Sequence, residues 1–504
     1  MDDWHLGYSL WRYNVLLGVN LVRYETCAAL QSGANFWLSW DVFGCRSFNS
    51  GRFMTQSIGR PLLIIVLAAG KGTRMKSDMP KVLHQVGGRS MLCHVLALAA
   101  CVKADKLAVV VGPGMEAVAK EALRQAPGAT IFVQHEQRGT ADAVLASRKA
   151  MAGWSGDTLV LYADTPLIEA ATIFKLRAAL AAGAGVAVLG FEAADPTGYG
   201  RLLTDGAGNL TAIREEKDAS AAERAVRLCN SGVMAFALTD TVGVLEAIGN
   251  ANAKGEYYLT DAVEIARVRG ATTAVVVCPE TEVLGVNARD QLAVAERLYQ
   301  GRARGRAMAE GATLIAPETV WFSYDTRIGR DVVIEPNVFF GPGVSVGDNV
   351  LIRSGCHIEG ATIGQGGRIG PFARLRPGAV LAEDVHIGNF VEVKNVVMGA
   401  RSKANHLAYV GDGSVGVDAN IGAGTIFCNY DGFNKHRTEV GEGAFIGSNS
   451  SLVAPVKIGA GAYIGSGSVI TKNVAAGSLA LERNAQEERP GWAEKFRTMM
   501  SRRK

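Results

Sequence analysis

The eight cysteines form no CxxC pair and show no zinc-ligand spacing. Scattered through a long chain, they read as reduced thiols rather than as a disulfide framework. No apolar run approaches the ~20 residues that a membrane helix needs. Leu62 to Ala69, among the longest, has the length of a strand, so no stable membrane insertion is expected. The opening Met1-Asp2-Asp3-Trp4 lacks the positive start and apolar stretch of a signal peptide, which makes the cytoplasm the expected location. A net charge of only +4 is far from the basic field of a general nucleic-acid binder, and no nucleic-acid partner is expected. Glycine is abundant, 60 of 504 residues, yet follows no every-third-residue period, so collagen is excluded. A hydrophobic share of 48% excludes a disordered chain.

What is there divides into unlike segments. Residues 1–60 hold four of the seven tryptophans (Trp4, Trp11, Trp37, Trp40) and no sustained period. They read as an extension of unknown role, disordered or surface-docked, or untranslated if synthesis starts at Met54. Residues 61–288 alternate short aliphatic runs with helical stretches. Leu62–Leu67, Leu107–Val111, Thr158–Tyr162 and Val186–Leu189 read as buried parallel strands, with helices over Ser90–Cys101 and Thr140–Met151. That alternation predicts a doubly wound α/β domain. Residues 289–312, rich in Ala, Arg, Glu and Leu, predict one connecting helix, and 483–504 a solvated basic tail.

Residues 313–482 are of another kind. Ile328, Ile334, Phe340, Val346, Ile352 and Ile358 stand six residues apart. The count resumes after a one-residue slip at Ile363, Ile369, Leu375, Leu381, Ile387 and Val393, and again from Val440 through Ile446, Leu452, Ile458 and Ile464 to Ile470. A sixfold aliphatic repeat, often followed by glycine, predicts a parallel β-helix with each aliphatic pointing inward. The stretch from Ala400 to Glu439 departs from the period and is expected to contain loops that leave the coil. Sites tend to sit at such breaks.

Two places carry chemistry. The first strand runs into Gly70-Lys71-Gly72-Thr73-Arg74-Met75, which fits neither the Walker A pattern nor the dinucleotide fingerprint. It is either an ordinary strand-to-helix turn or a phosphate cradle of backbone N–H groups, with Lys71, Arg74 and Lys81 supplying positive charge. Asp164, before Thr165-Pro166, reads on its own as a helix N-cap or a metal ligand. In the broken stretch, His406 is either structural or a base, since imidazole titrates near neutral pH. Cys428 beside Asn429 reads as a small apolar filler.

Taken together, Leu67-Ala68-Ala69-Gly70-Lys71-Gly72-Thr73-Arg74-Met75 and Pro80-Lys81-Val82-Leu83 resemble the sugar-phosphate nucleotidylyltransferases. With the hexapeptide half, residues 64–483 resemble the bacterial bifunctional N-acetylglucosamine-1-phosphate uridyltransferases and glucosamine-1-phosphate acetyltransferases. The resemblance implies an α/β nucleotidylyltransferase (Rossmann-like) domain followed by a left-handed parallel β-helix, and a homotrimer with acetyl-transfer sites between subunits. It implies that Leu67, Ala68, Gly70, Arg74, Gln134, Gly139, Thr140 and Tyr162 surround UTP, and that Lys81 contacts phosphate. Asp164 and Asn287 would be the protein ligands of Mg²⁺, and Gly200, Glu215 and Asn230 would hold the sugar. Two oxygen ligands suit Mg²⁺, which keeps water and phosphate oxygens as its other partners. Tyr162-Ala163-Asp164 stands where the family usually has Tyr-Gly-Asp, and the extra methyl is expected to crowd the nucleotide or shift the strand end.

For the second half the resemblance implies that His406 is the catalytic base. Arg376, Lys394, Tyr409 and Asn420 would hold glucosamine-1-phosphate, and Glu392 would orient the site. Ala423, Asn429, Tyr430, Ser448, Ser466 and Arg483 would surround acetyl-CoA; Asn405 and Ser466 are positions where family members vary. Two other readings remain open: a nucleotidylyltransferase whose β-helix serves only assembly, and a non-catalytic scaffold like the pyrophosphorylase-fold subunits of translation-factor exchange complexes. The presence of His406, Arg376, Lys394 and Tyr409 argues against the first. The presence of Lys81, Asp164 and Asn287 argues against the second.

Overall fold

The structure, a computed structural model, describes residues 59–502. The expectations for residues 1–60 therefore lie outside the described residues, apart from the last two. In the α/β half the strand order is Thr273–Val277, Val186–Glu192, Leu228–Phe236, Asp157–Tyr162, Leu62–Leu67, Lys106–Val111, Thr130–Val133. Leu62–Leu67 is buried along its whole length because the sheet is covered on both faces. Leu62, Ile64 and Val66 pack with Leu92, Leu96 and Leu176 on one side. Leu63, Ile65 and Leu67 pack with Val144, Leu245 and Val263 on the other.

The sheet is not all parallel. Leu228–Phe236 runs antiparallel between Asp157–Tyr162 and Val186–Glu192, so these two are not neighbours. No continuous aliphatic run marks this strand, whose Asn230-Ser231-Gly232 centre shifts its register against Val186–Glu192.

The β-helix is built of short parallel strands stacked coil on coil. Ile334, Ile352, Ile369, Ile387, Ala404, Ile421, Ile446 and Ile464 form one such inward column in register. All are buried in a single core. The stretch expected to contain loops does so at one place, and the coil continues through the rest of it. Ala404, Val410, Val415, Ile421 and Phe427 all point inward there. A small alanine at 404 and a five-residue step from Val410 to Val415 hide the repeat, and only residues 429–437 leave as a hairpin.

The helix Arg289–Ala309 joins the halves and bonds to both. Glu296 Oε2 accepts from the Gly87 amide at 2.7 Å, and Gln300 exchanges two 2.8 Å bonds with the Phe322 backbone. The tail carries a helix, Trp492–Ser501, with no buried residue. No helix among the described residues is long and apolar enough to cross a membrane. Cys93, Cys229, Cys278, Cys356 and Cys428 are free thiols, as expected.

Candidate active sites

The first site lies at the carboxyl edge of the sheet, where the strand ends open into turns. Gly72 has φ 61°, and a Cβ there would lie 2.4 Å from Lys81 Cβ. Only glycine lets the Lys81 side chain pass this turn. Lys81, 9% exposed, extends to Asp164 Oδ2 at 2.5 Å and Asn287 Oδ1 at 3.0 Å. A backbone bond from Val286 N to Asp164 O, 2.9 Å, fixes the spacing of the two oxygen-bearing residues. Two hard oxygens thus converge on one cationic centre, a donor pair that fits a hard divalent cation such as Mg²⁺. Among the described residues no cluster of three or more His, Cys, Asp or Glu could hold a metal.

Leu67 and Ala68 are buried at the strand end, and Gly70 is exposed beyond it. Among the described residues Lys71 and Arg74 form no ion pair. Gln134 donates through Nε2 to Gly139 O at 3.1 Å and Asp142 Oδ2 at 2.9 Å. Gly139, at φ 135°, would place a Cβ 2.4 Å from the Tyr257 carbonyl oxygen, and Thr140 Oγ1 accepts from Leu259 N at 2.9 Å. Burial, and then the charges of Asp164 and Glu215, push the Tyr162 hydroxyl up. Ala163 is 0% exposed, with its methyl in the hydrophobic core. The extra methyl packs among core side chains at the strand end.

Gly200, Glu215 and Asn230 come together. Asn230 N donates to Gly200 O at 2.8 Å, and a Cβ on Gly200 would stand 3.3 Å from Glu215 Oε1. Burial raises the Glu215 carboxyl above its ordinary range, partly offset by Lys254 and by Thr260, whose hydroxyl lies 3.4 Å away. Sequence reasoning missed Thr260.

The second site lies along the β-helix. His406 ends the strand Lys403–His406 and is exposed, its Nδ1 2.8 Å from Asn389 Oδ1. An amide oxygen only accepts, so Nδ1 carries the proton in the neutral ring and Nε2 keeps its lone pair. Asn389 was not singled out from the sequence, although it lies one coil before His406 in register. Leu375, Val393, Val410 and Phe427 are also stacked in register. Arg376 and Lys394, each one residue on, stand one above the other. Arg376 Nη1 meets Glu392 Oε1 at 2.8 Å, and Lys394 Nζ meets Asp412 Oδ2 at 3.4 Å.

Asp412, 5% exposed, is a second residue the sequence did not reveal. Burial opposes its ionisation, but the Asn395 amide, the Lys394 ammonium and the Asn429 amide outweigh it and hold the carboxyl below its usual range. Asn429 Nδ2 also reaches Tyr409 Oη at 3.1 Å. Asn420 lies on the other sheet, one coil after Lys403.

The remaining residues lie apart from this cluster but on one line. His406, Ala423, Ser448 and Ser466 each stand two residues beyond an inward residue of the column Ala404, Ile421, Ile446, Ile464. Arg483 closes the line by donating to Ser466 O at 2.8 Å. At ~4.8 Å per coil, four steps make a track of roughly 19 Å along one edge, suited to an extended ligand with its reactive end at His406. Tyr430 is exposed, in the hairpin beside the line.

Comparison with known proteins agrees with this two-part layout. Residues 64–227 match the MobA-like NTP transferase domain, and residues 325–360 and 437–472 match the bacterial transferase hexapeptide repeats. The chain is 60% identical over 438 residues to the bifunctional protein GlmU of Azorhizobium caulinodans, covering 87% of this chain and 98% of that protein. The chain belongs to the GlmU family. The GlmU proteins of Xanthobacter autotrophicus and Nitrobacter hamburgensis are 60% and 57% identical over 88% of the chain and 99% and 97% of their own lengths. A GlmU-family chain of this length carries both transferase halves, which removes the two single-role readings left open by the sequence.

Proposed function

We infer that the chain acetylates glucosamine-1-phosphate with acetyl-CoA in its β-helix half. It then transfers UMP from UTP to N-acetylglucosamine-1-phosphate in its α/β half, giving UDP-N-acetylglucosamine and pyrophosphate for cell-envelope precursor synthesis. The observation that carries the first-half assignment is the convergence of Lys81, Asp164 and Asn287 on one point. In that half an oxygen of the sugar phosphate attacks the α-phosphorus of UTP, and the bond to pyrophosphate breaks. Asp164 and Asn287 would hold Mg²⁺, which supplies charge neutralisation on the phosphates. Lys81 and Arg74 add positive charge, Gly200, Glu215 and Asn230 seat the sugar, and no protein nucleophile is required.

In the β-helix half, Nε2 of His406 takes a proton from the glucosamine amine as its nitrogen attacks the thioester carbonyl. The carbon–sulfur bond breaks, and the thiolate leaves and is protonated. Asn389 keeps the imidazole in the tautomer this needs. Arg376 and Lys394 grip the sugar phosphate, and acetyl-CoA lies along the line from Ala423 to Arg483.

Assembly as a homotrimer fits the surface beside His406. Phe372, Phe390 and Leu407 are 53%, 57% and 61% exposed, and all three hold left-handed backbone that bulky residues rarely adopt. The two rings stack at 5.4 Å. Such a column, next to Asn389 and His406, supports contact with another copy that completes the site. The reaction uses cytoplasmic metabolites, which supports that location. A coupled assay with glucosamine-1-phosphate, acetyl-CoA, UTP and Mg²⁺ tests the reading. Formation of UDP-N-acetylglucosamine with pyrophosphate is expected, and its absence from folded protein would overturn it.

A further inference from the structure

The strand ends of the α/β half give a nucleotide a phosphate end and a base end. Asp157–Tyr162, Leu62–Leu67, Lys106–Val111 and Thr130–Val133 are neighbours in that order. At ~4.8 Å per strand, the first and the last stand roughly 14 Å apart. Lys81 with Asp164, and the turn at Gly70–Met75, lie at the first two ends. Gln134 lies at the last, where its N donates to Val111 O at 2.9 Å. Its side chain is uncharged and 5% exposed. Arg138, four residues on, is already paired with Glu136 at 3.3 Å and Asp142 at 2.9 Å. Cations at one end and a neutral amide at the other suit phosphates at the glycine turn and a base at Gln134.

The direction of that amide is not free. One side of it accepts and the other donates, so the side that faces a ligand decides what is recognised. Nε2 meets Gly139 O at 3.1 Å and Asp142 Oδ2 at 2.9 Å. Both partners are acceptors, so the nitrogen and not the oxygen must face them. Gly139 O is held in place by Ala143 N, which donates to it at 3.1 Å in the first turn of the helix Thr140–Ala146. Asp142 lies in that same turn. Its other oxygen accepts from Arg138 Nη2 at 2.9 Å, and the Arg138 guanidinium lies 5.7 Å from the Tyr257 ring centroid. Among the described residues Gln134 Oε1 takes no hydrogen bond, and it is not sealed from solvent. An oxygen so placed accepts from a base that presents a ring N–H and repels one that presents a ring lone pair.

We propose that Asp142 is a positioning residue for nucleotide choice. It fixes the Gln134 amide with its oxygen toward the base, and so favours uracil, whose N3 carries a hydrogen, over cytosine, whose N3 carries a lone pair. Asp142 itself touches no base. The proposal rests on the uridyltransferase reading above and adds the residue that sets its base preference.

Full-length variants test it through kcat/KM for UTP and for CTP with supplied N-acetylglucosamine-1-phosphate. Acetylation of glucosamine-1-phosphate is the check on folding. Wild type should prefer UTP. Asp142→Ala removes one of the two acceptors that pin Nε2, and should narrow the UTP-to-CTP ratio about 10-fold, one charge-assisted contact's worth. The change should come through a higher KM for UTP, with kcat within about 3-fold, because Lys81, Asp164 and Asn287 are untouched. Asp142→Asn keeps an acceptor oxygen and should bring the ratio back to within about 3-fold of wild type. In a Gln134→Ala background Asp142→Ala should leave the ratio unchanged, because it acts only through that amide. A wild-type enzyme without base preference would overturn the proposal. So would an Asp142→Ala ratio within 2-fold of wild type, the mark of a merely structural residue, or a further 10-fold narrowing on top of Gln134→Ala. Failure of the folded wild-type enzyme to form a UDP-sugar from UTP would instead strike the uridyltransferase reading itself.

Discussion

The two sites are assembled in opposite ways. In the α/β half, Lys81 meets partners 83 and 206 residues away. In the β-helix half, the pairs Arg376 with Glu392, Asn389 with His406, Asn395 with Asp412, and Asn429 with Tyr409 span 16 to 20 residues. A solenoid turns sequence spacing directly into spatial spacing, one coil per step. A doubly wound sheet brings strand ends together by crossovers whose length carries no such rule. The difference predicts that the halves can be disabled one at a time.

The largest effect is expected at Asp164. Asp164→Ala should abolish formation of UDP-sugar while acetylation of glucosamine-1-phosphate continues at the wild-type rate. Parallel loss of both activities in folded protein would mean a shared site. His406→Ala is the mirror test: acetyl transfer should drop by about 10²–10⁴-fold, the usual worth of a general base. Coenzyme binding, measured by calorimetry, and uridylyl transfer should remain. Acetylation within a few-fold of wild type would reduce His406 to a packing role.

Asn389→Ala sharpens the same half, since it frees the imidazole tautomer without removing the base. A fall in acetylation of about 10-fold is expected, in line with the loss of an orienting partner of histidine. An Asn389→Asp variant should recover part of it, and an unchanged rate in Asn389→Ala would show that the ring needs no such partner.

The smallest effect concerns stability in the α/β half. Burial raises the Glu215 carboxyl, so its contribution to stability is fully present below the unfolded-state value and is lost as pH rises through the folded-state value. Glu215→Gln should therefore melt higher than wild type at pH 7, by roughly 2 °C, and not at pH values below the ordinary carboxylate range. It should also bind the sugar phosphate more weakly. A pH-independent difference in melting would rule out ionisation as the cause.

The repeat made the β-helix readable from Ile328 onward because an inward position recurs every six residues and each must be apolar. The inward position was not legible where Ala404 supplied it, since a methyl fills the narrow coil but leaves no hydrophobic signal. In the other half, Leu62–Leu67 was legible because a strand covered on both faces must be aliphatic throughout. Leu228–Phe236 was not, because Asn230 and Gly232 at its centre serve the cleft and break the aliphatic pattern. Asn389, Asp412 and Thr260 carried no motif of their own and stood out only through the side chains they touch.

By itself, then, the sequence determined the two architectures, their order, and the turn at Gly70–Met75, because periodicity and composition are local properties of a chain. Tertiary structure alone decided that Lys81 would bridge Asp164 and Asn287, that Ala163 would turn its methyl into the core, and that Asp142 would hold the Gln134 amide. Each of these depends on where separate segments of backbone come to rest, and neither spacing nor residue type encodes that position.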